Sequence, residues 1–118
     1  MSINDIANDL VALCKAGKFD ESGEKYWADD VLSVEAGGDN PESRGKGAAR
    51  AKGEWWSSAH DVHSVDVEGP YINGDQFVVR FKMDMTVKDS GQRMQMDEMG
   101  VYTVKDGKIA EERFFYGS

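Results

Sequence analysis

Five side chains in this sequence are of types that move or steer a proton: Glu35, Glu98, His63, Tyr102 and Lys52. Glu35 closes the apolar run Val31-Leu32-Ser33-Val34. It is either a solvated charge at a strand end or a carboxylate aimed into a pocket, where desolvation would raise its pKa toward that of a general base at neutral pH. Glu98 sits among methionines and, at period two, shares a face with Met94, Met96, Gly100 and Tyr102. A charged group in such company needs a partner or a chemical role. The two options are an edge ion pair with Arg80, Lys82 or Arg113, and acid–base work. His63 shares a face with Val65 and Val67, as a satisfied core histidine or as an acid. Tyr102 is pocket wall or a donor to a ligand oxygen. Lys52, one turn before Trp56, is a snorkelling surface lysine or the counter-ion of Glu35 or Glu98.

Other chemistries find no footing. The sequence holds no Gly-rich phosphate loop, CxxC pair or GxSxG elbow. His60 and His63 straddle a helix-to-strand junction without a third ligand spaced nearby, so no metal is expected, and nothing points to a cofactor. Cys14 borders an apolar helical stripe and has no acid–base partner, which suits a small buried apolar residue.

The elements that must position these groups are legible in the patterning. Ile3, Ile6, Leu10 and Leu13 recur at helical spacing, and that helix ends near Gly17. A shorter helix over about 20–28 buries Phe19, Tyr26 and Trp27, although Gly23 costs it about 1 kcal/mol against Ala. A strand over 31–35 runs into a loop at Gly37, Gly38, Asn40 and Pro41. A third helix covers 44–59, with Ala49, Trp56 and His60 on one face and Ala48, Lys52 and Trp55 beside it. From residue 61 onward, turn signals at Asn73-Gly74, Ser90-Gly91 and Asp106-Gly107 separate strands near 61–72, 76–88, 93–105 and 108–116. In the second of these, Phe77, Val79, Phe81, Met83 and Met85 face one way and Arg80, Lys82 and Asp84 the other. Three helices on one face of a long, curled antiparallel sheet make an α+β cone that encloses a pocket.

Bulk properties narrow the setting. The 118 residues suit a single domain with one core, over 1–118. Twenty-two acidic against 14 basic residues, net charge −8, argue against nucleic acid and against anionic membrane surfaces. No apolar run reaches the ~20 residues that span a bilayer. The start, MSINDIANDLVALC, lacks the basic region of a secretory signal. A lone Cys14 cannot close an internal disulfide, and a reducing, cytoplasmic location is the expectation.

The element order, together with Ala28-Asp29-Asp30-Val31-Leu32-Ser33-Val34-Glu35, Gly45-Lys46-Gly47-Ala48 and the closing 106–116 segment, resembles the nuclear-transport-factor-like superfamily. Its ketosteroid-isomerase-like and SnoaL-like polyketide cyclase members are the nearest in pattern. The resemblance covers essentially the whole chain and is specific for fold rather than activity. It implies that Glu35 stands where ketosteroid isomerase keeps its general-base aspartate. The isomerase's oxyanion tyrosine corresponds to Leu10, and its protonated aspartate to Gly100 or to nearby Glu98, so steroid isomerisation by that mechanism is not expected. The resemblance also implies a homodimer and an inward Glu112, though a one-residue slip would turn Arg113 inward instead.

The resulting expectation is a pocket for a small apolar or carbonyl-containing ligand. Trp56, Tyr102, Lys52, Phe81, Met83, Met96, Glu112 and Phe114 would line it. If it is catalytic, the reaction is cofactor-free proton transfer next to a carbonyl, with Glu35 as base and Glu98, His63 or Tyr102 as acid or oxyanion donor. The alternative is a non-catalytic ligand-binding or association module of the same fold.

Overall fold

The computed structural model describes residues 2–37 and 41–116. Helix α1 (Ile3–Lys15) starts at Ser2, whose side chain accepts from the Asp5 N–H at 3.2 Å, and it buries Ile6, Leu10 and Cys14 against the sheet. Helix α2 (Phe19–Tyr26) stops two residues earlier than its pattern suggests, and Trp27 opens strand β1 (Trp27–Val34). Tyr26 is buried, whereas Phe19 and Trp27 are half-buried.

A three-residue strand, β2 (Glu42–Arg44), pairs antiparallel with β1 and precedes α3 (Lys46–Ala59). The patterning does not reveal it, because three polar residues carry no apolar alternation. Of the loop expected around it, Gly38 and Asn40 lie outside the described residues. Strands β3 (His60–Asn73), β4 (Gln76–Val87), β5 (Arg93–Lys105) and β6 (Lys108–Tyr116) form the expected meander. The last hairpin turns on Asp106 and Gly107, both at positive φ (53° and 75°), as a two-residue primed turn requires.

The sheet is mixed rather than wholly antiparallel. Its order is β2-β1-β6-β5-β4-β3, and β1 lies parallel to β6. It is open, with β2 and β3 at its edges. Nothing local specifies the β1–β6 pairing, because it joins segments some 80 positions apart, and alternation reports faces rather than neighbours. The core lies between α1 and the inner face of β4, where Phe77, Val79, Phe81, Met83 and Met85 are all buried. Among the described residues no helix is long and apolar enough to cross a membrane.

Of the sheet's register irregularities, two bear on the candidate site. Between Val62 and Ser64 the β3–β4 register slips by one, so His63 is the extra residue. It turns to the outer face, exposed, with Nε2 2.7 Å from Thr86 Oγ1. The period-two face that joined it to Val65 and Val67 is broken there. A second slip, between β5 and β6 beside Val104, puts Ile109 and Glu112 on the same inner side although they are three residues apart.

Candidate active site

Helix α3 packs over β1, and a cavity of about 450 Å³ opens between the three helices and the inner face of β4, β5 and β6. The sequence explains the inward set on β1 directly: Val31, Ser33 and Glu35 share a face at period two. On α3, Ala49, Lys52 and Trp56 fall three and four residues apart, on the one stripe that meets the sheet. All eight residues expected to line the pocket do line it: Trp56, Tyr102, Lys52, Phe81, Met83, Met96, Glu112 and Phe114. Glu35 and Glu98 join them, and His63 does not. Trp56 stacks on His60 with ring centroids 4.6 Å apart, while neighbouring Trp55 is 65% exposed at the rim.

The polar floor is built on β6. Glu112 faces inward, and Arg113 faces out, where it pairs with Glu111 at 2.8 Å. Both Glu112 oxygens accept hydrogen bonds: Oε1 from Trp27 Nε1 at 2.8 Å and Oε2 from Ser33 Oγ at 2.7 Å. The parallel register sets Ser33 directly opposite Glu112. Burial pushes the Glu112 carboxyl up, against the opposing pull of those two donors. Lys52 donates to Ser33 Oγ, lies 2.8 Å from Glu35 Oε1, and holds its ammonium 5.3 Å above the Phe114 ring. Glu35 therefore reaches the cavity already ion-paired.

Glu98 is different. The partners that an edge ion pair would have used are engaged on the outer face: Arg80 with Asp97 at 2.6 Å, Lys82 with Glu68 at 3.5 Å, and Arg113 with Glu111. The Glu98 carboxyl makes no hydrogen bond or ion pair among the described residues. Its carboxyl is pushed up to about 7, first by burial and then by the negative charge of Glu35, with Lys52 opposing and Glu112 adding a little. A carboxyl with that value is part protonated and part ionised at neutral pH, the condition in which one group both gives and takes a proton.

Tyr102 follows along the same face of β5. Gly100 between them has no side chain, and a Cβ there would lie 3.0 Å from the Tyr102 ring and 3.2 Å from its hydroxyl oxygen. The ring stacks on Phe77 with centroids 4.8 Å apart. Its hydroxyl makes no hydrogen bond among the described residues. No fully enclosed side-chain N or O there lacks a partner, so this hydroxyl opens on the cavity. Burial pushes it well above the usual phenol range.

Sequence reasoning missed Ser33 and Trp27. Ser33 was visible in principle, since it shares parity with Glu35. Trp27 carried no signal, because the pattern ran the second helix through it. No group of three or more His, Cys, Asp or Glu side chains among the described residues is placed to hold a metal ion.

An α+β cone whose helices close over a cavity with carboxyls on its floor and wall is the class that this geometry defines. The family model for the SnoaL-like domain matches residues 1–116, and the chain belongs to that family. A protein from Mesorhizobium loti assigned as a SnoaL-like polyketide cyclase is 54% identical, with a TM-score of 0.95, over 98% of this chain and 100% of that one. At the level of fold alone, a Bacillus subtilis protein assigned as an isomerase matches with a TM-score of 0.82 at 16% identity, over 99% of this chain and 90% of that one. A protein from Jannaschia assigned as a SnoaL-like polyketide cyclase matches at 0.76 and 17%, over 98% and 90%. No curated protein matches the sequence.

Proposed function

We propose that this protein binds a small carbonyl compound in the α3–β6 cavity and moves a proton next to the carbonyl without a cofactor, in an isomerisation, cyclisation or hydration. The observation that carries this reading is Glu98, an unpartnered carboxyl in a mostly apolar cavity whose pKa is pushed up to about 7. Glu98 is the group that exchanges the proton. The Tyr102 hydroxyl, open on the same cavity, donates to the carbonyl oxygen as charge develops there. Glu35, held by Lys52 at 2.8 Å, supplies the charged partner that keeps Glu98 poised.

This moves the main role from Glu35 to Glu98. The isomerases and cyclases among the relatives are consistent with the reaction class. The test is deuterium incorporation from D₂O at the α-carbon of a panel of enolisable ketones and lactones, followed by proton NMR. Wild type is expected to exchange at least one panel member, and Glu98→Gln to lose about 10²-fold or more of that rate. Exchange that survives in Glu98→Gln would reject the assignment.

The second reading is a binding module of the same fold. It is favoured by the Glu35–Lys52 ion pair and by Leu10, which stands where the resembled isomerase keeps a tyrosine. Tight ligand binding with no exchange on any carbonyl would select it. Both readings include a homodimer. Its support is the outer face of the sheet, where Met99 and Phe115 lie opposite each other in register, 41% and 53% exposed.

A further inference from the structure

We infer that the ligand of this cavity is an organic cation: a carbonyl compound that also carries a protonated amine. The inference rests on the cavity being the ligand site and narrows the ligand from carbonyl compounds in general to those bearing an ammonium group.

Charge is the first ground. Among the described residues lining the cavity, Asp20, Glu35, Glu98 and Glu112 are acidic, and Lys52 is the one base. Lys52 is spent on Glu35 and, through Ser33, on Glu112. The remaining acidity faces a space with few other polar atoms, where a carboxylate-bearing or phosphate-bearing ligand would be repelled.

The wall is the second ground. Eight aromatic side chains line the space, three of them tryptophans. Aromatic faces attract cations through their quadrupole, most strongly where water is excluded. The protein already uses this wall in that way, with the Lys52 ammonium 5.3 Å over the Phe114 ring. The carboxyls are too dispersed to chelate a metal ion, since no three such ligands group together among the described residues. A dispersed set of carboxyls on aromatic walls suits a larger, softer cation.

Tyr102 is the third, independent ground. The residue is 5% exposed, and its hydroxyl is without a partner on the cavity side. A hydroxyl that opens on the cavity without a protein partner is free to donate to a ligand's carbonyl oxygen, and it supplies the contact for that end.

Binding would exchange one cation for another. An ammonium entering the cavity favours ionised Glu98, whose proton leaves to solvent. The groups facing Glu98 are Glu35 from the end of β1, Lys52 from α3, Glu112 and Tyr116 from β6, and Tyr102 from its own strand. Of these, Lys52 is the one cation, so the ligand's charge adds to a deficit. Ammonium affinity therefore rises with pH through the range where Glu98 ionises and levels off above it. The same step leaves Glu98 as the base that the proton transfer needs.

The experiment is isothermal titration calorimetry on the full chain with three probes of one shape: benzylammonium, benzyl alcohol and benzoate. Each is titrated at pH 6 and pH 8 into wild type, Glu98→Gln and Phe114→Leu, with thermal melts as folding controls. Benzylammonium is expected to bind wild type about tenfold tighter than benzyl alcohol at pH 8, with benzoate weakest. That preference should shrink at pH 6. It should lose its pH dependence in Glu98→Gln and weaken in Phe114→Leu, so the test survives misfolding of either variant. If benzyl alcohol or benzoate binds wild type as tightly as benzylammonium at pH 8, the cation inference falls and the carbonyl reading stands. If none of the three binds a cooperatively melting wild type, the cation inference falls, and the carbonyl reading is decided by the deuterium-exchange experiment alone.

Discussion

Glu98 shows how one side chain can be placed in an unfavourable state and kept there. Its ordinary carboxyl value is 4.5, and in the folded chain it is pushed up to about 7 by burial first and Glu35 second. Between those values the unfolded chain is ionised at this position while the folded chain still holds the proton. Folding stability contributed here is therefore full below the ordinary value, declines as pH rises through about 7, and is constant above. Glu98→Gln has no such loss. The stability of Gln relative to wild type should grow by on the order of 2–3 kcal/mol between pH 4 and pH 8, at about 1.4 kcal/mol per unit. Urea denaturation across that range measures it. A difference that stays flat with pH would mean that Glu98 is solvated and would remove the basis of its proposed role. Glu35, by contrast, meets Lys52 at 2.8 Å, and its interest lies in what its charge does to its neighbour.

At the scale of elements, the junction of α2 and β1 matters most. By helix propensity Gly23 is a weak spot, and Ala should improve it. The packing reverses that expectation. A Cβ on Gly23 would collide with the Trp27 ring, which folds back over the helix and holds Glu112 through Nε1 at 2.8 Å. Gly23→Ala must displace the ring and loosen a hydrogen bond to a buried carboxylate. We expect it to destabilise the protein by about 1–3 kcal/mol, measured by chemical denaturation. A gain in stability would show that the ring relaxes freely and that Trp27 does not hold Glu112. The bulge at His63 works on the same scale: one inserted residue in β3 takes the only histidine on the expected inner face and gives it to Thr86 outside.

For the whole molecule, the separation of charge is the main feature. The outer face carries ion-paired ladders such as Arg80–Asp97 and Arg93–Asp84, both at 2.6 Å. Such exposed pairs contribute little individually and favour solubility. The same face has an apolar end where Met99 and Phe115 lie opposite each other in register, 41% and 53% exposed. If that end covers a second copy, sedimentation at micromolar concentration should give the mass of a dimer, and Phe115→Glu should return a monomer with an unchanged melting profile of the isolated fold. A monomer for wild type would reject the dimer and leave the cavity readings untouched.

Faces and turns were decided by the sequence alone. Helical spacing in α1, alternation in β4, and the three turn signals report side-chain direction and chain reversal at fixed local periods, so the helices, the meander and the inner apolar face of β4 followed. Periodicity put Glu98 and Tyr102 on one face of their strand but left open whether that face, and Glu35, looked into the cavity; the folded structure decided it. Partners were decided by the tertiary structure. Ser33 opposite Glu112 and Trp27 on Glu112 depend on β1 lying parallel beside β6, and Lys52 on Glu35 depends on α3 packing over the end of β1, arrangements of distant segments that no local period encodes. Those arrangements settle which carboxyls are satisfied and which is left open. The physical reason is range: periodicity acts over a few residues, whereas desolvation and ion pairing depend on which distant groups the folded chain brings within a few ångströms.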